Sequence, residues 1–172
     1  MMRLSHFGLL SIIISCLVAC VQPPDFPDTP EIEYEGVNKT QIRQGSFGAI
    51  PDTLVVSFTY TDGDGNIGTP EDGEFLNNII YIDNRIGLET KASVPNIPSE
   101  GVGSGISGTV EVSIPTANSG VCCIYDDKNR QDPCTPSTSF PTDTFTYTIY
   151  VFDQDGNESN RIETEPVVIL CQ

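Results

Sequence analysis

Along residues 53–60, apolar and polar positions take turns. Leu54, Val56, Phe58 and Tyr60 share one parity, while Thr53, Ser57 and Thr59 share the other. Phe145, Tyr147, Ile149 and Val151 repeat the pattern against Thr144, Thr146 and Thr148. A period of two in β-branched and aromatic residues predicts strands buried on one face. Weaker stretches predict further strands at 31–35, 40–44, 78–83, 88–94, 108–114 and 162–170. Gly63, Gly65, Pro95, Pro98, Gly101, Gly103, Gly105, Pro115 and Gly156 punctuate them with turn chemistry. No stretch carries a convincing helical period. About seven short strands in roughly 140 residues predict an antiparallel β-sandwich of immunoglobulin or fibronectin type III kind, with a small closed β-barrel as the alternative.

The first twenty residues follow another rule. Arg3 supplies a positive start, and Leu4–Leu17 is an apolar run of 14 residues broken by small or weakly polar residues and His6. At about 1.5 Å per residue this run is too short to span a bilayer as a helix, and it reads as a targeting leader. It closes on Leu17-Val18-Ala19-Cys20, the pattern of a bacterial lipobox: small residues for the peptidase, then a thiol that takes the diacylglycerol. Residues 1–19 are therefore expected to be a lipoprotein signal peptide and Cys20 the lipidated residue. Val21–Pro30 has four Pro in ten residues, which excludes a helix or central strand. At about 3.1 Å per residue, an extended tether of this kind spans roughly 30 Å. Residues 20–30 form that anchor and tether, and 31–172 the β-sandwich domain.

Of the 6 Cys, Cys16 leaves with the leader and Cys20 carries lipid. Cys122, Cys123, Cys134 and Cys171 remain, and an even number in an exported chain predicts two disulfides. Adjacent cysteines bridge each other only through a strained ring. Each of Cys122 and Cys123 is thus expected to pair with Cys134 or Cys171, in either of two ways. The short bridge would close the loop 124–133 and the long one would tie that loop to the last strand, contributing about 3 and about 4 kcal/mol by loop entropy. A four-thiolate zinc site is the competing reading, poorly suited to a vicinal pair.

Two segments echo each other. Phe58–Asn66 and Tyr150–Asn157 each run from an aromatic strand into Asp-x-Asp-Gly-Asn. In a sandwich of this type they occupy the B–C and F–G loops, which lie at one end. Asp62, Asp64, Asn66, Asp153, Asp155 and Asn157 are candidate Ca2+ ligands, since calcium loops gather oxygens from alternating positions. Neither segment is an EF-hand: the sixth and twelfth positions are Ile67 and Gly73, then Glu158 and Thr164. Tight turns demand the same residue types, for Asx hydrogen bonds and positive φ. Both readings stand on sequence alone.

Composition narrows the function classes. With 8 Lys+Arg against 24 Asp+Glu the formal charge is −16, which excludes a nucleic-acid-binding surface. Loss of the leader removes Arg3 and His6, leaving 7 basic residues against 24 acidic, a net charge of −17 and no His. The ordinary Ser-His-Asp triad is then absent, and no carboxylate pair stands out for glycoside chemistry. Gly101–Gly108 matches no phosphate-binding fingerprint, because no helix follows it. The glycosylation triplets at Asn38 and Asn157 are common chance matches. No enzymatic activity is expected.

The lipobox, the short Pro-rich tether, Asp52–Gly68, the loop from Cys122 to Cys134, and Tyr147–Asn160 ending at Cys171 together resemble a group of uncharacterised Bacteroidota lipoproteins with a single immunoglobulin-like domain. The resemblance covers essentially the whole mature chain. It implies an outer-membrane lipid anchor and an immunoglobulin-like fold, and it carries no catalytic residues. The expectation is a lipid-anchored cell-envelope protein with a non-enzymatic binding or structural role toward an unknown protein or glycan. The alternative is a carbohydrate-binding accessory module of a polysaccharide uptake system. With Trp absent, Tyr125, Tyr150 and Phe152 are the aromatics available for a sugar platform.

Overall fold

The computed structural model describes residues 25–45, 52–68, 77–94, 105–116, 120–125 and 134–171. The leader, Cys20, the start of the tether, and the interiors of the 95–104 and 126–133 loops lie outside the described residues. Ten strands form among those described: β1 (Glu31–Val37), β2 (Gln41–Arg43), β3 (Thr53–Asp62), β4 (Ile79–Asp83), β5 (Leu88–Ala92), β6 (Ile106–Pro115), β7 (Thr142–Phe145), β8 (Tyr147–Val151), β9 (Ile162–Glu163) and β10 (Val167–Leu170). They assemble as β1-β3-β6, β2-β10-β7 and β5-β4-β8-β9. Every pairing is antiparallel except β2 beside β10. The fold is an all-β sandwich, and these sheets do not close into a barrel.

Two of the eight expected stretches each split in two, which makes ten strands. β7 pairs with β10 while β8 pairs with β9, so these four pieces are one hairpin bent in the middle. Thr146 breaks its first arm. In the second arm the Thr164 Oγ1 accepts the Tyr147 N–H at 2.9 Å, and Pro166 has no N–H to offer a ladder. The stretch 162–170 is therefore two short strands, and the chain crosses from one sheet to another at the bend.

Burial follows the alternation. β3 reads half-buried then buried at every step, and its inward residues meet those of β6 as Leu54↔Ile114, Val56↔Val112 and Phe58↔Val110. Ile79, Phe145, Tyr147, Ile149, Val151, Val167 and Ile169 complete a single core cluster with them. Cross-strand apolar pairs of this kind hold the register, because a slip by one residue would turn the whole stripe to solvent.

The sandwich has two chemically distinct ends. β4 runs against β8 so that Ile79 faces Val151 and Asp83 faces Tyr147. Beyond the first pair lie the two Asp-rich loops; beyond the second lie both disulfides. The bridges are Cys122–Cys134 and Cys123–Cys171, with Cα–Cα distances of 5.1 and 5.8 Å. The doublet is thus split, and the longer bridge fastens the 120–125 segment to the end of β10. Buried Gln44 seals this end, accepting the Cys123 N–H at 3.1 Å and donating to the Thr135 carbonyl at 3.3 Å. At the Asp-rich end the chain enters the fold. The Gly63 N–H donates to the Pro27 carbonyl at 2.7 Å, and a Cβ on Gly63 would collide with the carbonyls of Phe26 and Pro27. Only glycine permits that approach.

Candidate functional site

The two Asp-rich loops begin inside the core stripe. β3 extends to Asp62, which occupies the inward parity of Leu54, Val56, Phe58 and Tyr60 and has no exposed surface. Asp153 continues the inward series Tyr147, Ile149, Val151 and is 4% exposed. Each strand therefore carries its apolar face forward until an aspartate takes the last buried place. A buried carboxylate needs donors or a counter-charge.

Asp153 has its donors. Its Oδ1 accepts the Asn157 N–H and its Oδ2 accepts the Asn157 Nδ2, both at 2.7 Å. Asp62 is half-supplied. Its Oδ2 accepts the Ile67 N–H at 2.9 Å, while its Oδ1 is buried with no hydrogen-bond partner among the described residues. Burial first, then repulsion from Asp64 and Asp153, pushes the Asp62 carboxyl up from 3.8 to about 6, against the opposing pull of the Asn66 and Ile67 N–H groups. The loops turn on Gly65 and Gly156, with φ of 77° and 88° at equivalent places in the two repeats.

Asn66 joins one loop to the other. Its Nδ2 donates to Asp64 Oδ2 at 3.0 Å and to Asp155 Oδ2 at 3.1 Å. Two carboxylates on the amide nitrogen set the orientation of the group, and Asn66 Oδ1 is left buried without a donor among the described residues. The Gln154 N–H reaches the Asn66 carbonyl at 3.2 Å and its Nε2 reaches the Gly68 carbonyl at 2.9 Å. From beneath, buried Asn78 donates to the carbonyls of Ile67 and Phe152 at 2.7 and 3.3 Å and accepts the Val94 N–H at 2.8 Å. All six residues singled out in the sequence thus lie in one hydrogen-bonded pair of loops. Asn78 and Gln154 escaped the sequence reading. Asn78 stands at the head of the 78–83 stretch, where a polar residue before an apolar run was the available signal.

No ion pair among the described residues reaches Asp62, Asp64, Asp153 or Asp155. Nor do three or more His, Cys, Asp or Glu among them gather at metal-holding distance. What the loops offer is one carboxylate oxygen and one amide oxygen, both buried and both without a hydrogen-bond partner among the described residues. Hard oxygen donors of this sort suit a calcium ion, water or a proton.

The aromatic candidates divide differently. Tyr150 is 6% exposed, packed edge-on to Phe152 at 5.5 Å with the Arg161 guanidinium 4.1 Å over its ring. A ring so covered offers no face to a sugar. Tyr125 lies at the other end of the fold, 5.7 Å from Phe140, with its hydroxyl donating to the Thr135 carbonyl. The three therefore form no continuous platform.

No protein-family model matches the chain, and no curated protein matches it either. Among the described residues no helix is long and apolar enough to cross a membrane.

Proposed function

We propose that the chain is a lipid-anchored β-sandwich of the bacterial cell envelope, held at the outer membrane through Cys20, with a non-enzymatic binding or structural role. The support is the joint between the lipobox and the fold. Cys20 stands five residues before Asp25, and the segment that follows packs its Pro27 carbonyl on Gly63 of the first Asp-rich loop. In this reading the Asp-rich end faces the lipid, and the disulfide-bonded end faces outward. That outer end carries Phe140, 43% exposed beside Tyr125, and a protein or glycan partner would meet it there. The two disulfides fit an oxidising compartment, and by loop entropy the longer one contributes about 4 kcal/mol to an outward-facing end.

Growth with radiolabelled palmitate tests the anchor. Label is expected on the wild-type chain and not on Cys20→Ser; equal incorporation by the variant would end the reading. Protease shaving of intact cells then reads the orientation, since release of the domain assigns it to the cell surface and protection assigns it to the periplasm.

A further inference from the structure

We propose that the free edge of β6 is a docking site for an extended basic segment of a partner protein, which joins the β1-β3-β6 sheet as a further strand. β6 has 10 residues, and among the described residues it pairs with β3 alone. The Thr116 N–H donates to the Asp52 carbonyl at 2.8 Å, and this bond sets the phase of the ladder. Even-numbered residues of β6 turn their backbone groups to β3, so Ser107, Thr109, Glu111 and Ser113 turn theirs away. All four are exposed. Pro115 shares their parity, where its missing N–H breaks no bond to β3.

A long open edge is a template for another strand, and folded proteins cover or shorten theirs. The other described edges follow that rule. The Asn160 side chain blocks β1 at Ile32, accepting its N–H and donating to its carbonyl, both at 2.8 Å. On β2, which has 3 residues, Asp52 Oδ2 accepts the Arg43 N–H at 3.3 Å. β5, β7 and β9 have 5, 4 and 2 residues, and β5 carries an exposed Lys91. Among the described edges β6 alone is both long and open.

Charge selects the occupant. β1, β3 and β6 hold no Lys or Arg. Glu31, Glu33, Glu35 and Glu111 are exposed on them, and none of the four joins an ion pair among the described residues. A second copy of the chain would bring the same carboxylates to the edge, with a formal charge of −16 behind them. A strand with Lys or Arg on its solvent side brings the opposite sign to Glu111. Apolar residues at its alternate positions extend the inward row of Val110, Val112 and Ile114. Main-chain bonds then supply affinity, and the alternation supplies selectivity.

The edge is independent of lipid anchoring. Intact protein recovered from membranes in detergent or from the soluble fraction therefore serves equally, and a failed palmitate label leaves this test untouched. The probe is the end-blocked peptide Lys-Val-Thr-Val-Lys-Val-Thr. Its controls are a copy N-methylated at every peptide bond, which keeps the charge and cannot donate to a ladder, and a copy with Glu for Lys. The probe should shift the amide signals of Ser107, Thr109, Glu111 and Ser113 and slow their hydrogen exchange. In titration calorimetry both controls should bind weaker by about tenfold or more. Glu111→Gln should weaken the probe several-fold. Thr109→Pro removes an outward N–H without touching the β3 ladder and should abolish binding, while Thr109→Ala should keep it. If Thr109→Pro does not fold, the methylated copy carries the same test from the peptide side. Absence of binding at millimolar probe would overturn the site. So would equal binding of either control, since that marks attraction unrelated to a basic strand on this edge. A dimer in sedimentation that Thr109→Pro dissociates would give the edge to a second copy and overturn the basic segment.

Discussion

Each end of the sandwich buries aspartates, and the two ends deal with them in opposite ways. Asp83 closes the inward series of β4 as Asp62 closes that of β3. At the disulfide end, Arg85 answers it. The guanidinium donates to both Asp83 oxygens at 3.0 and 2.6 Å, to Asp143 at 2.5 Å and to the Cys122 carbonyl at 3.1 Å, and lies 5.0 Å over the Phe145 ring. Burial alone would make that guanidinium easier to deprotonate, but Asp83 and Asp143 more than reverse this. At the other end no ion pair reaches the loop aspartates among the described residues, and Asp62 keeps an orphan oxygen. One end carries its counter-charge in the sequence. At the other, none of the described residues supplies one.

The largest effects should come from the covalent side of this contrast. Replacing Cys123 and Cys171 with Ala should cost about 4 kcal/mol in urea unfolding, and replacing Cys122 and Cys134 about 3 kcal/mol, because the first pair closes the longer loop. The reverse order would mean that the longer bridge does not hold the 120–125 segment to β10. Next comes Arg85→Met. Removal of a cation with 13% of its side chain exposed leaves two carboxylates uncompensated and should cost about 3 kcal/mol. Asp83→Asn in that background should recover part of the loss. Without such a recovery, packing of the Arg85 stem rather than charge would be what holds this end.

The Asp62 end should show itself in pH. Its carboxyl is raised in the folded chain from 3.8 to about 6, so folding favours the protonated form. That contribution is complete below 3.8 and is lost as pH rises through about 6. Unfolding free energy should therefore fall by about 2 kcal/mol between about pH 4 and pH 8, and Asp62→Asn should flatten the slope. A profile that rises over this range in the wild type, and not in Asp62→Asn, would reverse the assignment of the two ends.

Much of this was readable from the residue pattern, and the failures share a cause. The alternation of β3 and β8 and the paired Asp-x-Asp-Gly-Asn segments were visible directly. Asp62 was visible as a loop residue only. Its membership of the buried stripe depends on β3 pairing with β6 as far as Asp62↔Ile106, a non-local fact. The bend at Thr146 and Thr164 likewise needs two distant stretches to meet, 17 residues apart at the Tyr147–Thr164 hydrogen bond. Arg85 drew no notice because Asp83-Asn84-Arg85 looks like any turn; its partner Asp143 lies 58 residues away. The disulfide pairing stayed open between two choices for the same reason. Spacing constrains a ring, whereas the fold selects it.

The smallest effect expected separates burial from mere pairing. Lys39 and Asp52 form an ion pair at 2.7 Å beyond the start of β3, at the disulfide end, with 40% and 24% of their side chains exposed. Asp52 is partly desolvated, which alone would raise its pKa, yet the Lys39 hydrogen bond and the N–H groups of Thr53 and Arg43 bring it below 3.8. A carboxyl lowered in this way adds stability above 3.8 that is lost as pH falls through its folded value. Solvent screens most of the Lys39 share, so Lys39→Met should cost about 0.5 kcal/mol at neutral pH, and nothing measurable once Asp52 is protonated. The two N–H donors remain in the variant and keep part of the acid sensitivity. A loss as large as that of Arg85→Met would mean that this end depends on the number of its ion pairs. A loss several-fold smaller would mean that what matters at both ends is a buried carboxylate and what neutralises it.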